Sequence, residues 1–299
     1  MNAIPRPALR WHGGKWRLAP WVIEHFPPHD CYVEPFGGAA SVLIRKPRVG
    51  AEIYNDLDDD AVNLFRVLRD PDRAERLIAG LCLTPFARAE DADCRRPAPD
   101  ADPVERARRM IARSFMGFGS DSSRVDRRTG FRSSTSRDGG KSTPARDWST
   151  YPDALRLIVD RLQAVVIEHR DAIEVMRQHD RPTTLHYVDP PYLPATRRLS
   201  HRGHGYVREL TTEDHARLLA ALCDLTGMVV LSGYPHRSYD AALRGWMRVT
   251  TSTYADGAQP RVEALWINPA AQQARAQQSL PFNENRVTAL DRAAGIAAE

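Results

Sequence analysis

The sequence predicts an α/β fold built on a mostly parallel sheet, and two observations support this prediction. Over the first seventy residues, short apolar runs alternate with segments of helical periodicity, which is the pattern of β-α-β units. The same alternation returns after residue 150. The 299 residues are 42% hydrophobic and 27% charged, which allows a large buried core without a stabilising metal or disulfide.

Each predicted element follows from its apolar pattern and from the residues that end it. The strand over 31–34 stops at Pro35, and residues 58–69 have the spacing of an amphipathic helix through Val62, Phe65 and Leu68. The other elements predicted for the sheet region are helices over 39–45, 152–162 and 212–225 and strands over 52–54, 164–168, 185–188, 228–231, 247–253 and 262–267.

Residues 70–147 are predicted to form an insert in this α/β pattern. Helices over 74–82 and 104–115 precede a long mobile loop over 119–147, and residues 85–103 have little to bury. From Val104 to Thr150 the chain has eleven Arg or Lys against five Asp or Glu, a net of +6, although the whole chain carries +4. A local basic surface on a near-neutral body predicts that the insert binds a polyanion. Residues 270–299 are Ala- and Gln-rich and are predicted to form a disordered polar tail.

The composition also indicates the compartment. The four cysteines lie far apart without a C-x-x-C pair, which is typical of a reduced protein. The N-terminus lacks the apolar core of a signal peptide, and no run of eighteen apolar residues occurs. We therefore expect a cytoplasmic protein that is not inserted in a membrane.

The sharpest chemical motif is Asp189-Pro190-Pro191-Tyr192, directly after the predicted strand LHYV. The prolines restrict the backbone, so the Asp189 carboxylate and the Pro190 carbonyl are two acceptors facing one point. An exocyclic amino group has two matching N–H donors, and accepting both favours the form whose lone pair can attack. Tyr192 can stack on a base that has left the duplex. A turn stiffened by two prolines is the alternative that these residues alone leave open.

A second motif is the glycine turn that follows Glu34 and contains Phe36, Gly37 and Gly38. Glycines at the first β-α turn let the backbone approach a nucleoside cofactor, and Asp56, about twenty residues later, can accept hydrogen bonds from ribose hydroxyls. The alternatives are a plain glycine turn and a helix-capping role for Asp56.

A third motif runs from Trp11 to Lys15 and places an aromatic ring and a cation on a glycine turn. Its spacing is not that of an ATP-binding P-loop, and a surface turn with a solvated lysine is the alternative. His201 and His204 have no accompanying ligand cluster, so we expect no metal site.

In chain order, the strings WHGGK, VEPFGGAAS, YNDL and DPPY resemble the motif series of the Dam-like DNA N6-adenine methyltransferases, including phage-borne members. The resemblance covers about residues 9–68 and 151–269. It implies a Rossmann-like class I methyltransferase sheet with helices on both faces, formed by residues 1–69 and 148–269. It also implies S-adenosyl-L-methionine as methyl donor, double-stranded DNA as partner and an inserted helical target-recognition region.

The resemblance also implies roles for individual residues. It assigns catalysis to Asp189, Pro190, Pro191 and Tyr192. It assigns contacts with the cofactor to Trp11, Lys15, Phe36, Gly37, Gly38, Asp56, Asp171 and Asp189. For the DNA contacts we expect Arg124, Arg127, Arg128, Arg132 and Arg137, which the basic insert supplies.

Two features separate this chain from many relatives. The glycine turn reads GGAAS where many have a further glycine, and the downstream string LSGYP is closer to phage-type members. The resemblance therefore leaves the target sequence open between GATC and another site, and it fits a phage or restriction-modification setting. We expect a monomer, in a bacterial cytoplasm or a phage-infected cell.

Two alternative functions stay open. One is a methyltransferase that acts on cytosine N4, an RNA base or a protein glutamine, and the other is a catalytically silent DNA-binding protein. Asp189 and the basic insert favour adenine in DNA.

Overall fold

The computed structural model describes residues 4–126, 129–134, 142–196, 208–254 and 260–279. These residues form seven strands: β1 Cys31–Glu34, β2 Ala51–Asn55, β3 Val165–Glu168, β4 Thr184–Val188, β5 Met228–Gly233, β6 Met247–Tyr254 and β7 Pro260–Ile267. They also form twelve α-helices: α1 Ala19–Glu24, α2 Ser41–Arg45, α3 Asp59–Arg69, α4 Pro71–Leu83, α5 Arg88–Cys94, α6 Pro103–Met116, α7 Pro144–Ser149, α8 Tyr151–Leu162, α9 Ala172–Gln178, α10 Thr212–Asp224, α11 Arg237–Ala242 and α12 Pro269–Ser279.

The strands form one sheet in the order β3-β2-β1-β4-β5-β7-β6. The first five are parallel, and β7 is antiparallel to both β5 and β6. This order confirms the predicted α/β fold and is that of a Rossmann-like methyltransferase. The chain runs outward from β1 to β3 and then returns to the other side of β1 as β4. Because the strand order reverses between β1 and β4, their carboxyl ends flank the crevice where such sheets bind ligands.

Apolar side chains pack on both faces of the sheet. Successive residues of a strand point to opposite faces. Along β5, Val229 packs in a cluster with Leu219 of α10, whereas Val230 belongs to the larger cluster that contains Leu155 of α8. Every residue of β4 and β5 is buried, as expected for central strands covered on both faces.

The predicted insert, residues 70–147, shares the larger apolar cluster with the sheet. Leu77 of α4 and Ile111 of α6 are fully buried in the same cluster as Tyr32 of β1. The two predicted helices of the insert are present as α4 and α6. The division of the chain into a catalytic domain and an insert stays a prediction.

The described residues of the loop predicted over 119–147 include regular structure, which the sequence analysis did not predict. The mobility of this loop stays a prediction. Residues Ser120–Ser123 form a buried 3-10 turn. The Arg113 guanidinium donates from Nε to the Ser123 carbonyl at 2.9 Å. The Arg132 N–H donates to the Met116 carbonyl at 2.8 Å. Polar contacts hold these described residues together with the ring of Phe131, whose centre lies 5.1 Å from that of Phe86, and α7 ends the segment.

The sequence analysis did not predict the helices α1, α5, α7, α9, α11 and α12, and two of these, α5 and α12, lie in segments expected to have little structure. Arg95, the residue that follows α5, pairs at 3.0 Å with Asp91 of the helix, and Cys94 at the end of the helix is fully buried. Charge pairing thus replaces the missing apolar stripe. The predicted tail is wrong for residues 270–279, which belong to α12. The Asn268 side chain accepts a hydrogen bond from the Ala271 N–H at 2.9 Å and so caps this helix. Residues 280–299 lie outside the described residues.

Candidate active site

A cleft opens at the carboxyl ends of β1 and β4. It brings together all three sequence motifs. Its walls include residues 11–15, 34–39, 56–58, 189 and 191. These segments are far apart in the chain, and the reversal of strand order between β1 and β4 is what joins them. The predicted convergence of the motifs is therefore observed.

The glycine turn after β1 is fixed by close backbone packing. The Gly37 N–H donates to the Asn55 carbonyl at 2.7 Å, and the Tyr54 hydroxyl donates to the Gly38 carbonyl at 2.8 Å. A Cβ atom on Gly37 would lie 2.1 Å from the Tyr54 ring. Gly38 has a φ of +48°, and a Cβ atom there would lie 2.6 Å from Nε1 of Trp11. Both positions thus require glycine, Gly37 for space and Gly38 for space and backbone conformation.

Asp56 presents a carboxylate to the cleft from the end of β2. Its Oδ2 accepts a hydrogen bond from the Gly38 N–H at 2.7 Å, and its Oδ1 accepts one from the Asp58 N–H at 2.8 Å. Burial raises the pKa of Asp56 to about 6. The alternative that Asp56 caps α3 is wrong, because the capping side chain is Asp58, which accepts hydrogen bonds from the N–H groups of Asp60 and Ala61.

Lys15 reaches from the N-terminal motif to the acid of the proline motif. Its ammonium lies 3.0 Å from Oδ1 of Asp189 and donates to the Gly13 carbonyl at 3.0 Å. Lys15 is only 6% exposed, so the alternative of a surface turn with a solvated lysine is wrong. The same ammonium lies 3.6 Å from Oε1 of Glu263 on β7. Because Lys15 is buried and the Asp189 side chain is only 16% exposed, water screens the attraction between these two charges less than it screens a surface ion pair.

Tyr192 is buried beside Asp189 rather than exposed in the cleft. Its hydroxyl donates to Glu263 and lies 3.0 Å from Oγ of Ser232. The Lys15 ammonium lies 4.7 Å from the centre of its ring. The ring is 5% exposed, and its edge-to-face partner is Tyr234. Stacking of Tyr192 on a base stays a prediction.

Asp171 follows β3 and uses its carboxylate to cap α9. Its Oδ1 accepts hydrogen bonds from the N–H groups of Ile173 at 2.9 Å and Glu174 at 3.2 Å. The next residue, Ala172, lines the cleft. A contact between Asp171 and a cofactor stays a prediction.

The arginines expected on DNA fall into two groups. Arg124 holds Asp126 with two hydrogen bonds of 2.9 and 2.7 Å, and Arg132 is half-buried and donates to the Phe115 carbonyl at 3.0 Å. Arg127, Arg128 and Arg137 lie outside the described residues. Both described arginines thus have intramolecular contacts, and their roles on DNA stay predictions.

Two buried acids of this region were not singled out from the sequence. Glu34 accepts hydrogen bonds at Oε2 from the Tyr32 hydroxyl at 2.7 Å and the Leu43 N–H at 3.0 Å. Burial raises the pKa of Glu34 to about 8, and burial also raises the pKa of Glu263. An acid in an otherwise apolar strand is the signal that could have identified both.

The described residues contain no group of three or more His, Cys, Asp or Glu side chains arranged to hold a metal. Of the helices in the described ranges, none has the length and apolar character needed to span a bilayer.

Comparisons with known proteins agree with the geometry. Residues 11–237 match the D12 class N6 adenine-specific DNA methyltransferases. The DNA adenine methylase of Haemophilus influenzae is 25% identical over 211 residues, covering 67% of this chain and 68% of that enzyme. The DNA adenine methylase of Serratia marcescens is 38% identical over 64 residues, or 21% of this chain and 23% of that enzyme. The match to the Escherichia coli K12 enzyme also covers 23% of its length, at 34% identity. The chain belongs to the D12 class N6 adenine-specific DNA methyltransferase family.

Proposed function

We propose that this chain transfers a methyl group from S-adenosyl-L-methionine to N6 of an adenine extruded from double-stranded DNA. The observation that carries the proposal is the convergence of Asp189 with the glycine turn and Asp56 in one cleft. An acid at the end of β4 beside a nucleoside-type pocket is the arrangement that amine methylation requires. The family membership of the chain supports the same reaction.

The cleft fits the cofactor by the chemistry of its walls. Phe36, Leu57 and Ala172 supply apolar surface suited to an adenine ring, and Asp56 supplies acceptors for ribose hydroxyls. Asp189 can receive the cationic amine of the methionine end. When bound, S-adenosyl-L-methionine supplies a methyl group on a sulfonium sulfur, which keeps the bonding electrons as the methyl group leaves.

Asp189 and the Pro190 carbonyl act on the nucleophile. The N6 lone pair of adenine is delocalised into the ring, so the amine attacks poorly until both N–H groups are held by acceptors. The nitrogen that gains the methyl group loses one proton, which the Asp189 carboxylate receives. None of the four cysteines lines the cleft, which favours direct transfer without a covalent bond between enzyme and base.

The insert supplies the DNA contacts in this proposal. Arg124, Arg127, Arg128, Arg132 and Arg137 neutralise phosphates or read guanine edges, with Arg124 exchanging Asp126 for a DNA group. Each phosphate contact steepens the dependence of affinity on salt, with a slope of about −0.9 per contact for duplex DNA. We infer that the enzyme acts as a monomer in the cytoplasm, where its DNA substrate is, and light scattering should give a mass close to 33.6 kDa.

The test replaces Asp189 and measures chemistry and cofactor binding separately. Asp189→Ala is expected to lower the single-turnover methylation rate by about 10³-fold or more, because an acceptor aimed at the reacting amine is lost. Calorimetry with S-adenosylhomocysteine should still detect binding. Asp153→Ala, at an exposed position of α8, is the matched control and should methylate normally. Wild-type activity in Asp189→Ala would overturn the proposal, and nucleoside analysis of the product identifies the methylated base.

A further inference from the structure

A buried polar cluster lies behind Asp189 and includes a residue outside all of the sequence motifs. Glu263, on β7, is 3% exposed. It accepts hydrogen bonds from the Tyr192 hydroxyl and, at 2.9 Å, from the Ser232 hydroxyl. Its Oε1 is also 3.6 Å from the Lys15 ammonium. Glu263 therefore contacts Lys15, which pairs with Asp189, and Tyr192, which lies three residues after Asp189.

The position of Glu263 depends on the one strand that runs against the others. Because β7 is antiparallel to β5, with Ser232 opposite Leu265 and Gly233 opposite Ala264, Glu263 comes just beyond the carboxyl end of β5. Asp189 follows the carboxyl end of β4, the next strand in the sheet. Asp189 and Glu263 therefore lie at the same edge of the sheet, where the parallel strands end, and the Lys15 ammonium is within 4 Å of both carboxylates.

Lys15 is shared unequally by these two acids. Its ammonium is 3.0 Å from Asp189 and 3.6 Å from Glu263. The chain has 42 Lys and Arg, of which only three are Lys. A lysine at this position gives a compact ammonium that can move between two acceptors, whereas the planar guanidinium of arginine is held in a fixed fork.

We propose that Glu263 is a positioning residue for methyl transfer, which retains the Lys15 ammonium and the Tyr192 hydroxyl while Asp189 accepts the N–H group of the target adenine. The inference rests on the proposed function, since it assigns that role to Asp189. An ammonium held by Asp189 alone would compete with the target amine for the same carboxylate. A second carboxylate behind it gives the ammonium an alternative partner, so that Asp189 is available without leaving a buried charge unpaired.

Glu263→Gln is the decisive substitution, because it keeps the shape of the side chain and one acceptor oxygen for the Tyr192 and Ser232 hydroxyls. It replaces the other oxygen with an NH2 donor and removes the charge. We expect the single-turnover methylation rate to fall by about 100-fold, the scale of loss for a misplaced reacting group. The Kd for S-adenosylhomocysteine and the unfolding midpoint should stay close to wild type. Glu263→Asp keeps the charge and should recover part of the rate.

Ser232→Ala is the matched control. Ser232 contacts Glu263 and Tyr192, with Oγ distances of 2.9 and 3.0 Å, but carries no charge. Its loss should change the rate by less than about threefold if charge rather than packing matters. A Glu263→Gln enzyme with the wild-type rate would overturn the inference, as would a parallel loss of rate and S-adenosylhomocysteine affinity.

A measurement on the wild-type protein keeps the inference open to refutation if Glu263→Gln does not fold. With ¹⁵N-lysine labelling, the three lysines give few side-chain signals. The buried Lys15 ammonium should remain protonated and protected from exchange when S-adenosylhomocysteine and DNA are both bound. Loss of the Lys15 ammonium signal in the ternary complex would mean that Glu263 does not retain the Lys15 ammonium, which would overturn the inference. Failure of the proposed function would instead show as an active Asp189→Ala enzyme.

Discussion

The substitution Gly37→Ala tests how firmly the glycine turn after β1 is packed. The added Cβ atom would lie 2.1 Å from the ring of Tyr54, which is fully buried and cannot rotate into solvent. Overpacking of a buried ring costs about 1–3 kcal/mol. Displacing the ring also breaks the 2.8 Å hydrogen bond from the Tyr54 hydroxyl to the Gly38 carbonyl, worth about 1 kcal/mol. We therefore expect the free energy of unfolding to fall by about 2–4 kcal/mol.

Urea unfolding followed by circular dichroism measures this loss, and Gly80→Ala is its control. Gly80 lies inside α4, where a Cβ atom would meet nothing closer than Arg108 Cδ at 3.5 Å. The same change there should raise the free energy of unfolding by about 0.5–1 kcal/mol, because alanine favours the helix. A Gly37→Ala protein that unfolds within about 0.5 kcal/mol of wild type would refute the idea that Tyr54 is fixed against the turn.

Three further predictions concern the cleft, the core and the insert. The Kd for S-adenosylhomocysteine should rise about tenfold as pH falls from 7 to 5, because the ionised fraction of Asp56, with its pKa raised to about 6, falls from about nine tenths to one tenth. Arg161→Ala should lower the free energy of unfolding by about 1.5–3 kcal/mol in urea titrations, because Glu52 loses a buried charged partner at 2.6 Å but keeps Lys46 at 2.7 Å. S-adenosylhomocysteine should lower the Kd for DNA by a certain factor, measured by anisotropy titration, and Asp121→Asn should make that factor about fivefold smaller. The reason is that Oδ1 of Asp121, in the insert, lies 2.9 Å from Nδ1 of His12, which lines the cleft.

Each of these predictions has a control and a contradicting result. Asp56→Asn should bind S-adenosylhomocysteine with the same Kd at both pH values, and a pH-independent wild type would assign the ribose contact elsewhere. Arg156→Ala removes an exposed ion pair with Glu75 and should lower the free energy of unfolding by at most about 1 kcal/mol. An equally small loss for Arg161→Ala would contradict the estimate made for the buried pair. For Asp121→Asn, an unchanged coupling factor would show that the His12 contact does not link the two binding sites.

Local pattern was enough to predict the strands and the amphipathic helices. The periods of two and 3.6 residues are visible wherever one face of an element is apolar, as in α3 and α6. The helix α5 was missed because its stability comes from charged pairs, and α12 because its core contribution is small. The Asn268-Pro269 pair was nevertheless a helix-start signal that could have been read.

By itself the sequence determined the fold class and the chemistry of this protein. A proline-locked acid at a strand end, a glycine turn and an acid after the second strand are local features of the sequence. Their order along the chain resembles that of the DNA N6-adenine methyltransferases, and this resemblance is what predicts their roles. Only the tertiary structure decided which charges share the cleft. Lys15 meets Asp189 and Glu263 because strand order reverses beside β1 and because β7 enters the sheet antiparallel, and neither choice of neighbours is encoded in the spacing of any motif. Such pairings arise when burial brings distant charges together, where an unpaired charge costs more than a paired one.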